Sequence, residues 1–354
     1  MYLRDTFSFL PKTPWIFIWG FIFYFFFLIL IHMKILITGG AGYLGSVITK
    51  KLLDNGHAVT VIDNLQFKQL SPLQFTSDKN YNFIYGDVRN ESLLKNQIPK
   101  FDIIIPLAAI VGFPACNADP ITAWDTNHKQ IVNILNLKTE SQKILFPNTN
   151  SGYGIGENDK FCTEESPLNP ISVYGESKCA AEKLLLDNSD SICFRLATVF
   201  GSSPRMRTDL LVNEFVYKAM TDKYITVFEK NFKRNFIHIQ DVANVFHFAI
   251  ENYDKMKKNV YNVGLSNANL SKEELLEKIK EFVPDFAITY SDYYEDPDKR
   301  DYIVSNEKIE KTGWSPNWSI DDGIKELMKT YQVLIPRMTS EFRNGFPLGY
   351  ANNT

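Results

Sequence analysis

Cysteine is scarce in this 354-residue chain: only Cys116, Cys162, Cys179 and Cys193, none in a CxxC or zinc-ligand spacing. A disulfide framework and a structural zinc are therefore not expected, and all four thiols read as reduced. The five histidines (His32, His57, His128, His238, His247) form no HExxH or other ligand pair, so no metal site is expected. A basic excess is missing too. With 38 Lys and Arg against 41 Asp and Glu the net charge is −3, without a clustered stripe, which excludes nucleic acid as a partner. Internal repeats and low-complexity linkers are absent as well. The length leaves room for one large or two ordinary domains with a substantial core.

One long hydrophobic run does occur. Trp15 to Ile31 is uncharged and dense in Phe and Ile, at the short end of a membrane-spanning length, and no small-residue cleavage site follows it. A genuine anchor leaves only His32 and Met33 before Lys34, which opens a strand expected mid-sheet. The alternative, favoured here, is that Met33 is the true start and 1–32 is upstream sequence. The chain is then cytoplasmic, and membrane-tethered only if 15–31 is an anchor.

From Met33 onward short apolar runs alternate with helical patterns, the mark of βαβ units and a parallel sheet. Strands are read at 34–38, 58–63, 81–86, 102–108, 143–148 and 191–199, with helices near 43–55, 91–97, 121–140 and 173–188. After Gly201 the pattern becomes mixed: a helix at about 207–222, strands at 225–229 and 236–241, a helix near 241–252, a strand at 260–263, and capping boxes at Ser271–Glu274 and Ser319–Asp322. The fold class predicted is α/β, a doubly wound parallel sheet with a smaller mixed substrate lobe. Residues 33–200 and about 236–264 are assigned to the first domain and 201–235 with 265–335 to the lobe. A tail follows from 336.

The junction of the first strand and helix reads Thr38-Gly-Gly-Ala-Gly-Tyr-Leu-Gly45. Gly39, Gly42 and Gly45 allow a tight turn, close approach of a pyrophosphate, and tight helix–sheet packing, while the helix N-terminus favours the anion. An ordinary structural loop is the alternative, but the strand before it and the amphipathic helix behind it favour a dinucleotide. The second strand ends at Asp63, about 20 residues on, where an acid holds the adenosine ribose of NAD and repels the extra phosphate of NADP.

Tyr174 and Lys178 lie four apart in Tyr174-Gly-Glu-Ser-Lys178, so both face one side of a helix. Alone, such a pair is usually a solvated face. As an acid–base pair it suits hydride chemistry, because an ammonium and an oxidised nicotinamide both favour phenolate.

The motifs TGGAGYLG, Asp63-Asn64, Gly86-Asp87-Val88, Leu107-Ala108-Ala109, Asn127, Thr149, YGESK and Phe194–Gly201 together resemble the extended short-chain dehydrogenase/reductases of the NAD-dependent nucleotide-sugar epimerase/dehydratase group, over about Met33 to Tyr331. The resemblance implies NAD as cofactor, held by Gly39, Gly42, Tyr43, Leu44, Gly45, Asp63, Asn64, Asp87, Val88, Leu107, Ala108, Ala109, Asn127 and Lys178. It implies Tyr174, Lys178 and Thr149 as the catalytic set. A nucleotide-diphosphate sugar is the implied substrate, met by Thr149, Asn150, Ser151, Asn213, Arg234 and Arg300. A homodimer through helices 121–140 and 173–188 is implied as well. Two departures matter. Asn150 and Ser151 stand where dehydratases of the group carry an acidic pair, or a polar residue plus Glu, which disfavours 4,6-dehydration. Pro106 replaces a frequent His. The function expected is a 4-epimerase or 4-dehydrogenase of nucleotide sugars in surface-polysaccharide precursor synthesis. A dehydratase or reductase of the same family is the alternative, with a non-catalytic NAD sensor further behind.

Overall fold

Seven runs rich in branched aliphatics form one parallel sheet in the computed structural model, which describes residues 32–157, 160–291, 293 and 299–337. The strands are β1 (Lys34–Thr38), β2 (Ala58–Asp63), β3 (Tyr81–Tyr85), β4 (Ile103–Pro106), β5 (Lys143–Thr149), β6 (Ile192–Leu196) and β7 (Asn259–Val263). Their order is β7-β6-β5-β4-β1-β2-β3. Chain direction across the sheet reverses between β1 and β4, the switch point at which doubly wound sheets open a crevice. β1, β4 and β6 are buried on both faces, which explains their near-continuous apolar sequence. Residues 15–31 lie outside the described residues, as does most of the predicted tail. Among the described residues no helix is long and apolar enough to cross a membrane.

Helix α1 (Tyr43–Asp54) leaves the glycine turn and buries Val47, Ile48, Leu52 and Leu53; Gly56, at φ 79°, follows its end. Helix α2 (Val173–Asn188) starts where Ser172 Oγ accepts the Gly175 amide at 3.1 Å, a side-chain cap that fixes the turn carrying Tyr174. Helix α3 (Leu211–Thr221) begins four residues later than predicted. Helix α4 (Ile239–Glu251) packs on α1. Both capping boxes form, at the starts of α5 (Lys272–Phe282) and α6 (Ile320–Leu334).

Three elements differ from the sequence reading by more than a shifted end. The run 191–199 is two strands, because after β6 the chain leaves the main sheet and Thr198–Phe200 pairs with Lys233–His238 in a small sheet completed by Asn269–Ser271. The strand predicted at 236–241 is therefore Lys233–His238, and it does not join the main sheet. The helix predicted at 121–140 is Pro120–Trp124, a π turn at Asp125–Lys129, and Gln130–Leu137. Such insertions add a residue to a helical turn and often mark functional positions. Here the π turn includes Thr126, in the cleft, and Asn127, beneath it.

Candidate active site

A single cleft of about 710 Å³ opens at the carboxyl ends of the strands and brings together most of the predicted residues. Gly39, Gly42, Tyr43, Leu44 and Gly45 line it, with Asp63, Asn64, Asp87, Val88, Leu107, Ala108 and Ala109; Thr149, Ser151, Tyr174, Lys178, Arg234 and Arg300 also line it.

The glycine turn is built for close approach. Gly39 has φ 70°, and a Cβ there would stand 2.6 Å from the Ala108 backbone nitrogen; at Gly45 it would stand 2.5 Å from the Gly39 carbonyl. β1, β4 and α1 therefore meet backbone to backbone, leaving the first turn of α1 facing the cleft. Asp63 ends β2 almost buried, accepting the Ala41 amide at 3.1 Å and the Leu65 amide at 2.8 Å. Burial raises its carboxyl above the ordinary range against those bonds. Asp87 is held the other way. Arg89 grips it with Nη2 at 2.7 Å and Nε at 3.0 Å, lowering the carboxyl below its usual value. These features fit a dinucleotide: a pyrophosphate-sized approach at the helix start, then acceptors at the ends of β2 and β3.

Tyr174 and Lys178 project from the first two turns of α2. Lys178 is 3 % exposed, and its ammonium lies 3.9 Å from the centre of the Phe146 ring. Burial pushes the lysine down to about 7 and the Tyr174 phenol up to about 12, the latter opposed by Arg207 and Arg300. The phenol was expected to shift towards neutrality; desolvation by the surrounding protein outweighs the two arginines and moves it the other way. Folding thus strips a proton from Lys178 across the range in which the unfolded lysine keeps it, so stability rises with pH from about 7 to the ordinary lysine value. Lys178→Met is expected to raise the melting temperature at pH 7, by on the order of 2–4 °C for each kcal/mol recovered. The gain should shrink as the buffer approaches pH 10; a lower melting temperature at pH 7 contradicts the assignment.

Thr149 caps the turn after β5. Its hydroxyl accepts the Ser151 amide at 3.1 Å and donates to Ser151 Oγ at 2.9 Å, and that same oxygen accepts from Arg300 Nη1. Arg234 is buried, with its guanidinium 5.6 Å from the Tyr302 ring centre. Arg300 thus reaches the Thr149 turn through Ser151.

Three predicted contacts are not in the cleft. Asn127 is buried, its amide spent on both backbone groups of Ile110 and on Ser177 Oγ. It supports the cleft wall at Ile110 from behind. Asn213 is fully buried and ties the Gly201 amide and the Arg207 carbonyl, fixing the loop ahead of α3. Asn150 is 1 % exposed and does not line the cleft. An amide side chain serves equally well as a ligand or as a substitute for backbone partners, and sequence alone does not separate the two. The cleft also contains Arg89, Arg205 and Arg207, none of them chosen from the sequence. The pair of arginines in Pro204-Arg-Met-Arg207, in the loop after the strand ending at Phe200, was the available signal.

Residues 35–264 match the model of the NAD dependent epimerase/dehydratase family, and the chain belongs to that family. It is accordingly an enzyme, with NAD as its coenzyme. Among its relatives, the low-salt glycan biosynthesis protein Agl12 of Haloferax volcanii is 27% identical over 312 residues, covering 84% of this chain and 98% of that protein. The CDP-paratose 2-epimerase of Salmonella typhi is 28% identical over 332 residues, 83% of this chain and 98% of the other. The solved dTDP-glucose 4,6-dehydratase of Bacillus anthracis, in complex with NAD, superimposes with a TM-score of 0.74 at 25% identity, over 86% of this chain and 98% of that one.

Proposed function

We propose that this enzyme oxidises the 4-hydroxyl of a nucleotide-diphosphate sugar, acting as a 4-epimerase or a 4-dehydrogenase in the synthesis of surface-polysaccharide precursors. One observation carries the reading: Tyr174, Lys178 and Thr149 share a cleft with Arg234 and Arg300, so an acid–base centre lies within reach of two guanidinium groups suited to a diphosphate. NAD, when bound at the glycine turn, supplies the hydride acceptor and a positive ring that favours phenolate. Tyr174 Oη removes the proton from the sugar hydroxyl. Lys178 Nζ, pushed to about 7, exchanges a proton near neutral pH and so matches a relay role beside the phenol. Thr149 Oγ1 orients the sugar oxygen, held in place by its two bonds to Ser151.

Loss of water from the sugar requires a second acid or base beside Thr149. Asn150 is buried away from the cleft and Ser151 is engaged by Arg300, which argues against a dehydratase. The same reading includes a cytoplasmic site of action and a homodimer through α2 and the helices of 120–137, where Ile121 and Trp124 stay exposed in the single chain.

Incubation with a panel of UDP-, GDP- and CDP-sugars, followed at 340 nm and by NMR of the products, tests the proposal. Inversion at C4 without net NADH identifies the epimerase, and NADH with a keto sugar the dehydrogenase; no reaction with any member sinks both. Arg300→Ala should weaken nucleotide-sugar binding about 10- to 100-fold by calorimetry, the weight of a charge-assisted hydrogen bond. Unchanged affinity refutes the diphosphate role.

A further inference from the structure

Arg205 lies in the loop between Thr198–Phe200 and α3 and lines the cleft at 4 % exposure. Its Nη1 donates to the Met206 carbonyl at a long 3.4 Å, and its Nη2 is buried with no hydrogen-bond partner among the described residues. Phe67, another lining residue, covers the guanidinium with its ring centre 4.2 Å away. Burial and the neighbouring Arg207 push the group down to about 10, against the pull of Asp209 and Asp63. Neither acid meets it directly. Asp209 is gripped by Arg207 at 2.7 Å, and Asp63 spends its oxygens on Ala41, Leu65 and Gln69. A buried guanidinium lacking a contacting anion is costly to keep, and a ligand that brings one relieves that cost.

The loop's anchorage shows which anion. Ser203 Oγ donates to the Tyr43 carbonyl at 2.8 Å and lies 3.0 Å from Ser46 Oγ, both in the first turn of α1; Tyr43 Oη donates to the Gly201 carbonyl at 2.8 Å. The Arg205 amide in turn donates to Ser203 Oγ at 3.3 Å. The arginine is therefore pinned beside the helix start and glycine turn, where a dinucleotide places its doubly charged pyrophosphate. We propose that Arg205 is a coenzyme-binding residue whose guanidinium takes the pyrophosphate of NAD beside the glycine turn, with the Phe67 ring giving way as the coenzyme enters. This assignment depends on NAD dependence and on no particular sugar, so its failure leaves the proposed reaction standing.

Calorimetry with NAD, ADP and adenosine on wild type, Arg205→Met and Arg205→Lys is the test, after removal of any coenzyme carried through purification. Arg205→Met should bind NAD and ADP roughly 10- to 100-fold more weakly and adenosine unchanged. Arg205→Lys should recover part of the loss. NAD affinity within twofold of wild type overturns the proposal, and so does an equal loss for adenosine, which carries no phosphate. Circular dichroism melts of the same proteins exclude misfolding, and Arg205→Lys keeps the charge if Arg205→Met does not fold. Phe67→Ala, which uncovers the guanidinium, should bind NAD at least as well as wild type; a tenfold loss assigns the coenzyme contact to the ring and also overturns the proposal.

Discussion

Tyr174→Phe is expected to lower turnover about 10²- to 10⁴-fold, the range lost with a general acid–base group, while NAD affinity and the melting temperature stay close to wild type. The substitution removes one oxygen from a partly buried ring and leaves the Ser172 cap, and with it the start of α2, intact. Burial holds the phenol up at about 12 in the protein alone, so the proton stays on oxygen at neutral pH. Arg207, Arg300 and the ring of bound NAD all act to lower it, and turnover should rise with pH as the phenol ionises in the complex. In Tyr174→Phe that limb of the pH profile should vanish. Steady-state rates and NAD calorimetry on the two proteins decide the matter: if the variant turns over within a few-fold of wild type, the phenol is not the base. A non-catalytic NAD sensor on the same fold predicts indifference to the change in every readout.

The sheet was legible because its inner strands are doubly buried and read as short apolar runs such as Lys34-Ile-Leu-Ile-Thr38, bounded by glycine or polar turns. Partner switching was not legible. Nothing in the run 191–199 shows that the chain changes sheets after Leu196, since both pieces are β-prone and the lower burial of Thr198 and Val199 is a property of the fold alone. The π turn at Asp125–Lys129 was hidden for a related reason: one added residue shifts a helical face by less than its width. At the site, glycines and a Tyr–Lys pair carry their own geometric meaning, which placed them correctly in the cleft. Asn127 and Asn213 do not, because their use depends on which orphan backbone groups the fold leaves beside them, and Asn150 is buried with neither side-chain polar atom bonded among the described residues. Arg205 escaped notice because its importance lies in burial without a contacting anion, a property of three dimensions only.

Arg195→Ala is expected to cost about 3–5 kcal/mol of stability, the penalty for breaking a buried ion pair from one side. Arg195 stands in the middle of β6, and Glu182 on α2; their side chains are 6 % and 3 % exposed, with Nη2 to Oε1 at 2.7 Å. Arg195 Nη1 also donates to Tyr153 Oη at 3.0 Å and to the Glu164 carbonyl at 3.1 Å. Asn148 Nδ2 donates to the other Glu182 oxygen at 2.6 Å, and Tyr153 Oη lies 2.7 Å from Asn262 Oδ1. One guanidinium therefore ties β5, α2, β6 and β7 beneath the Thr149 turn. Its removal strands the Glu182 carboxylate, which must then be protonated or drag water inward. A hydrophobic pair filling the same space avoids that fate, so Arg195→Leu with Glu182→Leu should recover much of the loss, whereas either single change should not. Urea unfolding of wild type, the two Leu singles and their double measures the coupling, and an Arg195→Ala loss under about 1 kcal/mol in the same assay rejects it. Glu182 lies one turn beyond Lys178 and pulls against its burial-lowered value. Any variant that neutralises the carboxylate but still folds should therefore push the lysine lower and shift the pH profile of turnover, separating the electrostatic role of the pair from its structural one.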